Sequence, residues 1–89
     1  MKILVVGCGS IGARHIRNLK GLHVGEIAAC DTDENRLSTI RDECSMSEVF
    51  TDLGGALGKG YEAVLVCTPP STHIAIARDA LEHGAHVFI

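Results

Sequence analysis

Six residues near the start of the chain, Gly7-Cys8-Gly9-Ser10-Ile11-Gly12, carry the spacing G-x-G-x-x-G. The chemistry of this pattern belongs to the backbone. Gly7 permits a tight turn off a strand, Gly9 has no Cβ and lets the main chain approach a pyrophosphate, and Gly12 lets the following helix lie close on a sheet. The amino end of that helix then offers free N–H groups and about half a positive charge to phosphate oxygens. Glycine-rich turns are common, so the pattern alone says little, but its context says more. An apolar run, Ile3 to Val6, precedes it and a mixed helical segment follows. Asp31 then stands about 20 residues on, where a dinucleotide site needs an acid for the ribose. A carboxylate there accepts hydrogen bonds from the adenosine ribose hydroxyls and repels a 2′-phosphate. Thr32 and Asp33 follow with no adjacent base, so NAD is favoured over NADP. Arg36 is the one nearby cation. It reads as a solvated partner of Asp33, with capture of a 2′-phosphate as the alternative.

A second group is Cys67-Thr68-Pro69-Pro70-Ser71-Thr72-His73. In a doubly wound sheet, ligands sit beyond the carboxyl ends of the strands where strand order reverses. That point falls between the first and fourth strands, which sets Thr68 opposite the glycine loop. The prolines fix the backbone and delay the next helix. Two readings stay open: Thr68 meets the nicotinamide-side ribose or the pyrophosphate, or the segment is a plain strand-to-helix turn. His73, at the helix start, either orders the Thr68 loop or touches the nicotinamide side. His15 reads as a helix-surface or packing residue. His83 and His86 form H-x-x-H, but Gly84 breaks the helix between them and no thiol or carboxylate completes a ligand set, so no metal is expected. The four cysteines make no C-x-x-C pair and read as small buried hydrophobes.

The elements that must position these residues alternate as strand and helix. Strands are expected at Lys2–Val6, Glu26–Cys30, Ser47–Phe50, Ala63–Cys67 and His86–Ile89. The first helix is expected over Ser10–Lys20, with Gly12, Ile16 and Leu19 on its inner face and Gly21 as its stop. The second covers Asp33–Glu43, with Leu37 and Ile40 inward. A short third helix, capped by Thr51 or Asp52, ends near Leu57. The fourth starts at Ser71 or Thr72 and runs to His83, with Ile74, Ala77 and Leu81 inward and Gly84 as its cap. Right-handed crossovers give a doubly wound parallel α/β sheet of the Rossmann type, in the order 3-2-1-4-5. A full dinucleotide fold adds a sixth strand, so the fifth is expected to be a bare apolar edge, Val87 to Ile89, able to pair with a second copy.

The 89 residues allow one small domain or part of a larger one. Hydrophobic residues make up 46% and aromatics only 3%, so the core must come from Ile, Val, Leu and Ala. The net charge of −3 leaves no basic stripe, which argues against a nucleic-acid partner. No apolar run approaches the roughly 20 residues that span a bilayer, and the expected location is cytoplasmic.

Taken together, these residues resemble one family. They are Gly7 to Gly12 with His15, Asp31 with Asp33 and Arg36, Val64-Leu65-Val66-Cys67-Thr68-Pro69-Pro70 with His73, and Gly84-Ala85-His86-Val87-Phe88-Ile89. The chain is similar, over its whole length, to the amino-terminal part of the glucose–fructose oxidoreductase / inositol dehydrogenase / rhizopine catabolism (Gfo/Idh/MocA) family. The resemblance implies hydride transfer between a nicotinamide cofactor and a sugar, cyclitol or related alcohol. It also implies a second, substrate-binding domain whose open sheet often forms the oligomer interface. In that family a Glu-Lys-Pro motif carrying the commonly catalytic Lys directly follows the strand that here is Val87 to Ile89. Residues 1–89 are thus expected to be a partial NAD(P)-binding domain, inactive alone, with no catalytic residue of its own. The cofactor-site residues carried over are Gly7, Gly9, Ser10, Ile11, Gly12, Asp31, Thr68, Pro69 and His73. The alternatives are a non-catalytic NAD-sensing module and an interaction domain with an unused glycine loop.

Overall fold

The computed structural model describes residues 1–89. Five parallel strands form one sheet in the order β3-β2-β1-β4-β5. They are β1 (Lys2–Val6), β2 (Glu26–Cys30), β3 (Val49–Phe50), β4 (Ala63–Val66) and β5 (His86–Phe88). The helices are α1 (Ser10–Leu22), α2 (Glu34–Cys44), α3 (Leu53–Leu57) and α4 (His73–Glu82), the last preceded by a 3₁₀ turn over Pro70–Thr72. The expected doubly wound Rossmann sheet is therefore present, with β1 at its centre. The register pairs Val6 with Cys30 on one side and with Val66 on the other. The three segments that leave these ends thus start side by side.

Alternation along each strand divides the apolar side chains between two layers. Ile3, Val5, Ile27 and Ala29 meet Ile16 of α1 and Leu37 and Ile40 of α2. Leu4, Val6, Ala28, Val64 and Val66 meet Ala56 and Leu57 of α3 and Ala80 of α4. The largest wholly buried side chains, Leu4, Val5, Ile16, Ile40 and Val64, are all aliphatic.

Element ends depart from the sequence expectation in instructive places. α1 does not stop at Gly21 but continues to Leu22. His23 takes the left-handed conformation instead (φ 53°), its N–H donating to Lys20 O. The glycine the turn requires is Gly25, at φ +146°, where a Cβ would lie 2.1 Å from Met1 O. β3 is two residues long, Val49 and Phe50, in register with Ala29 and Cys30. β4 ends at Val66, although Cys67 N still donates to Val6 O at 2.8 Å. Asp52, not Thr51, caps α3, accepting from Gly55 N at 2.8 Å. Gly84 ends α4 as expected (φ +81°), with the paired bonds Gly84 N to Leu81 O and Ala85 N to Ala80 O of a Schellman turn.

The largest correction concerns α4. Ile76 and Ala80 pack inward and Ala77 is half-buried, but Ile74 and Leu81, expected inward, face out. Ile74 is 76% exposed and Leu81 61%, while Ala80 is fully buried. The helix carries two apolar stripes, and the one through Ile76 and Ala80 meets the sheet, with Ala80 fully buried.

Candidate functional site

The carboxyl ends of β1, β2, β3 and β4 open onto a cleft of about 760 Å³. Gly7, Gly9, Ser10 and Ile11 line one wall, Asp31, Thr32 and Arg36 the end beyond β2, and Thr68, Pro69 and Pro70 the opposite wall. The structure thus brings together three segments separated by some twenty to forty residues in the chain.

The glycine loop is shaped by two steric limits. Gly7 has φ +97°, and a Cβ there would fall 2.9 Å from the Cys67 carbonyl carbon and oxygen. A Cβ on Gly12 would fall 1.7 Å from Gly7 O. Gly12 therefore lets the first turn of α1 fold down onto the strand-to-helix turn itself. Gly9 differs from both: the nearest atom to its ideal Cβ is Arg36 Nη1, 3.9 Å away. Its emptiness faces the cleft. Gly9 is also the N-cap of α1 and provides no side-chain cap, and the first turn holds no acid. The amino end of α1, with its partial positive charge, is left for a ligand to satisfy. Ser10 and Ile11 stand exposed at this end, and Gly12 is buried behind it.

Asp31 faces this helix end from the next strand. Its Oδ2 accepts from Cys8 N at 2.7 Å and its Oδ1 from Asp33 N at 2.8 Å. Asp33 in turn caps α2, accepting from Asn35 N at 2.9 Å and Arg36 N at 3.2 Å. The Arg36 guanidinium lies 3.7 Å from Asp33 Oδ2, both side chains about half exposed. Arg36 therefore is a partner of Asp33, as its sequence position suggests, and it also lines the cleft beside Gly9.

On the opposite wall the Thr68 segment is tied to itself. The Thr72 hydroxyl lies 2.6 Å from Thr68 Oγ1 and 2.8 Å from Pro69 O, and its single proton can go to only one of them. His73 Nε2–H donates to Thr68 O at 2.7 Å. This bond ties His73 to the Thr68 segment, and His73 is not among the residues that line the cleft. Pro70 opens the 3₁₀ turn and delays α4 until His73.

Three thiols sit under this floor. Cys8 and Cys30 are buried, and Cys67 is half-buried. Burial first, and the Asp31 carboxylate second, push Cys8 up to about 12 and Cys30 up to about 11, and burial alone raises Cys67. All three are neutral thiols near neutral pH, which suits packing and not nucleophilic chemistry. No three His, Cys, Asp or Glu side chains gather in a metal-holding geometry.

Sequence reasoning did not name Thr51 and Leu53, after β3, or Ile76 of α4, all of which line the cleft. The rule that ligands lie beyond strand carboxyl ends would have pointed to Thr51 and Leu53. Ile76 was hidden by the wrong choice of stripe on α4.

The sequence model of the oxidoreductase family with an NAD-binding Rossmann fold, Gfo/Idh/MocA, matches residues 1–89. The chain belongs to this family. It is 36% identical over 93 residues to inositol 2-dehydrogenase 1 of Saccharopolyspora erythraea, covering 98% of this chain and 27% of that protein. Inositol 2-dehydrogenase of Pseudomonas syringae is also 36% identical over 93 residues, covering 99% and 27%. Among solved structures, scyllo-inositol dehydrogenase from Lactobacillus casei, with bound NAD(H) and scyllo-inositol, superposes with a TM-score of 0.85 at 27% identity, over 98% of this chain and 26% of that one. The chain spans about a quarter of the length of the relatives it matches. It is the NAD-binding Rossmann unit of a dehydrogenase family, and no helix in it is long and apolar enough to cross a membrane.

Proposed function

We propose that residues 1–89 form a partial dinucleotide domain that holds NAD in preference to NADP, as the cofactor half of an enzyme that oxidises an alcohol carbon of a cyclitol, sugar or related polyol. The observation that carries this reading is the convergence of an uncapped α1 amino end, the empty side of Gly9 and the Asp31 carboxylate on one wall of a single cleft. The pyrophosphate rests on Gly9, Ser10 and Ile11, with Gly7 and Gly12 holding the loop's shape. Asp31 accepts from the adenosine ribose hydroxyls. Thr68 and Pro69 border the nicotinamide half, and His73 steadies them.

NAD, when bound, supplies the hydride acceptor. The residues of this chain bind and orient it, and none of them moves the substrate proton. That step belongs to a basic residue outside residues 1–89, with the substrate held by a further domain, so this chain alone binds cofactor and turns over nothing. The relatives named for inositol oxidation support the polyol class. Four unpaired cysteines suit the reducing cytoplasm. The exposed Phe88 and Ile89 beside β5 suit self-association at that edge.

The test is parallel calorimetric titration with NAD and NADP. Clearly tighter NAD binding is expected. Tighter NADP binding overturns the role given to Asp31 and points to Arg36. A folded chain that binds neither overturns the assignment of the cleft.

A further inference from the structure

We propose that Asp31 is a positioning residue for the glycine loop as well as the acceptor for the ribose. In this role its carboxylate sets the backbone that meets the pyrophosphate. The proposal rests on the dinucleotide reading above and deepens it.

The middle of the glycine loop has no backbone partner of its own. Gly7 N donates to Cys30 O at 2.8 Å, which ends the pairing of β1 with β2. Ala13 N donates to Gly9 O at 2.9 Å, which begins the ladder of α1. Between these two bonds lies Cys8 N–H, which donates to Asp31 Oδ2 at 2.7 Å. Cys8 is only 5% exposed, so without this acceptor a buried N–H would go unpaired, and such groups are costly. The acceptor is charged, which makes the bond one of the stronger kind.

The other oxygen acts in the same way on the next turn, accepting from Asp33 N at 2.8 Å. Asp33 caps α2, and α2 carries Arg36 back to the side of Gly9. One carboxylate therefore ties together the loop that opens α1 and the turn that opens α2. Asp31 itself is fixed from behind, its N–H donating to Phe50 O at 3.1 Å.

The two duties are compatible. A carboxylate offers about four acceptor positions. Two are taken by backbone N–H groups, and two remain for the two ribose hydroxyls. Sugar binding adds to the latch and does not break it.

The experiment uses the full 89-residue chain, NAD, and an NAD analogue lacking both adenosine-ribose hydroxyls. An acid that serves only the ribose is irrelevant to the analogue. An acid that also shapes the loop still matters to it. Asp31→Ala, which removes both acceptor oxygens, is expected to weaken analogue binding by about tenfold, the low end of what losing a charge-assisted hydrogen bond delivers. Equal binding of the analogue by the variant and the unsubstituted chain overturns the proposal. A ligand-free measurement decides the same point even where the variant fails to fold. In the unsubstituted chain, a through-hydrogen-bond coupling is expected between the Cys8 amide nitrogen and the Asp31 carboxylate carbon, with slow amide exchange at Cys8. A freely exchanging Cys8 amide without that coupling overturns the latch. Failure of NAD to bind the unsubstituted chain would sink the dinucleotide reading and leave the amide measurement to judge the latch alone.

Discussion

Two glycines of one motif should fail in opposite ways when given a methyl group. At Gly12 the new Cβ would lie 1.7 Å from Gly7 O, a backbone atom that cannot swing aside. To reach ordinary contact α1 must retreat by more than an ångström along its first two turns, which also carry buried Ala13 and Ile16. Overpacking of this kind costs about 1–3 kcal/mol, and a rigid backbone neighbour puts it at the upper end. Alanine returns about 1 kcal/mol of helix propensity. The net loss is about 2 kcal/mol, against a total of about 4–13 kcal/mol for a chain of this length. For a domain of this size that lowers Tm by roughly 8–16 °C. At Gly9 the nearest atom to the new methyl is 3.9 Å away and φ is −68°, so alanine fits the free chain. Its weaker capping, about 0.5–1 kcal/mol, is largely offset by the stiffer unfolded chain. Gly9→Ala should therefore hold Tm within about 4 °C while the methyl occupies the path of the pyrophosphate and NAD affinity falls by about tenfold or more. Calorimetric melting of both variants, with NAD titration of Gly9→Ala, gives both readings. A Gly12→Ala chain that melts like the unsubstituted one, or a Gly9→Ala chain that binds NAD unchanged, refutes the division of labour argued for the loop.

Other outcomes follow from the same structure. Because Cys8 and Cys30 are held at about 12 and about 11 against an ordinary 9.0, they should resist alkylation at pH 8 in the folded chain, as mass spectrometry of timed reactions would reveal; rapid labelling of Cys8 contradicts its burial. The same shifts carry a sign for stability. The unfolded chain loses these protons above about pH 9 and the folded chain keeps them, so the contribution is intact below pH 9 and drains away as pH rises toward 11–12. Urea midpoints at pH 8 and pH 10.5 should differ accordingly, and a Cys8→Ala, Cys30→Ala chain should show a flatter profile. On α4, Ile74→Ser and Leu81→Ser alter exposed side chains, so Tm should stay within about 4 °C, and any self-association seen by sedimentation should weaken; a large loss of Tm would restore these residues to the core.

The sheet order was legible because it rests on few facts. Short apolar runs such as Ile3–Val6 and Ala63–Val66, alternating with longer helical segments, read as buried parallel strands, and right-handed crossovers together with a dinucleotide-type glycine loop suggest this order. The ends were harder, because they depend on which residue takes a positive φ. At Gly84 the glycine and the left-handed turn coincide. After α1 they do not: His23 accepts the strained conformation, and Gly21 stays helical. The α4 stripe was misread for a related reason. Period alone cannot choose between Ile74-Ala77-Leu81 and Ile76-Ala80, since both recur at helical spacing. The choice is made by the angle at which the helix meets β4 and β5, which buries Ala80 and Ile76 and leaves Ile74 and Leu81 outside.

The site was legible where chemistry resides in the backbone and obscure where it resides in side-chain partners. Three glycines and an acid announce a cleft because each spacing has one mechanical use, and the structure sets Gly7, Gly9 and Asp31 along it with Gly12 buried behind. The partners of Asp31 could not be read in the same way. Nothing in the string Cys30-Asp31-Thr32-Asp33 says that one oxygen will meet Cys8 N and the other Asp33 N. That follows from the register, which sets Val6 beside Cys30 and so starts the glycine loop level with the acid. The same adjacency bears on cofactor choice. Replacing Asp31 to admit a 2′-phosphate would remove a repulsive charge and, in the same stroke, the acceptor of a buried N–H in the phosphate loop. The proposed preference for NAD is thus bound up with the shape of the loop itself, and a basic residue added nearby would attract the 2′-phosphate without replacing that acceptor.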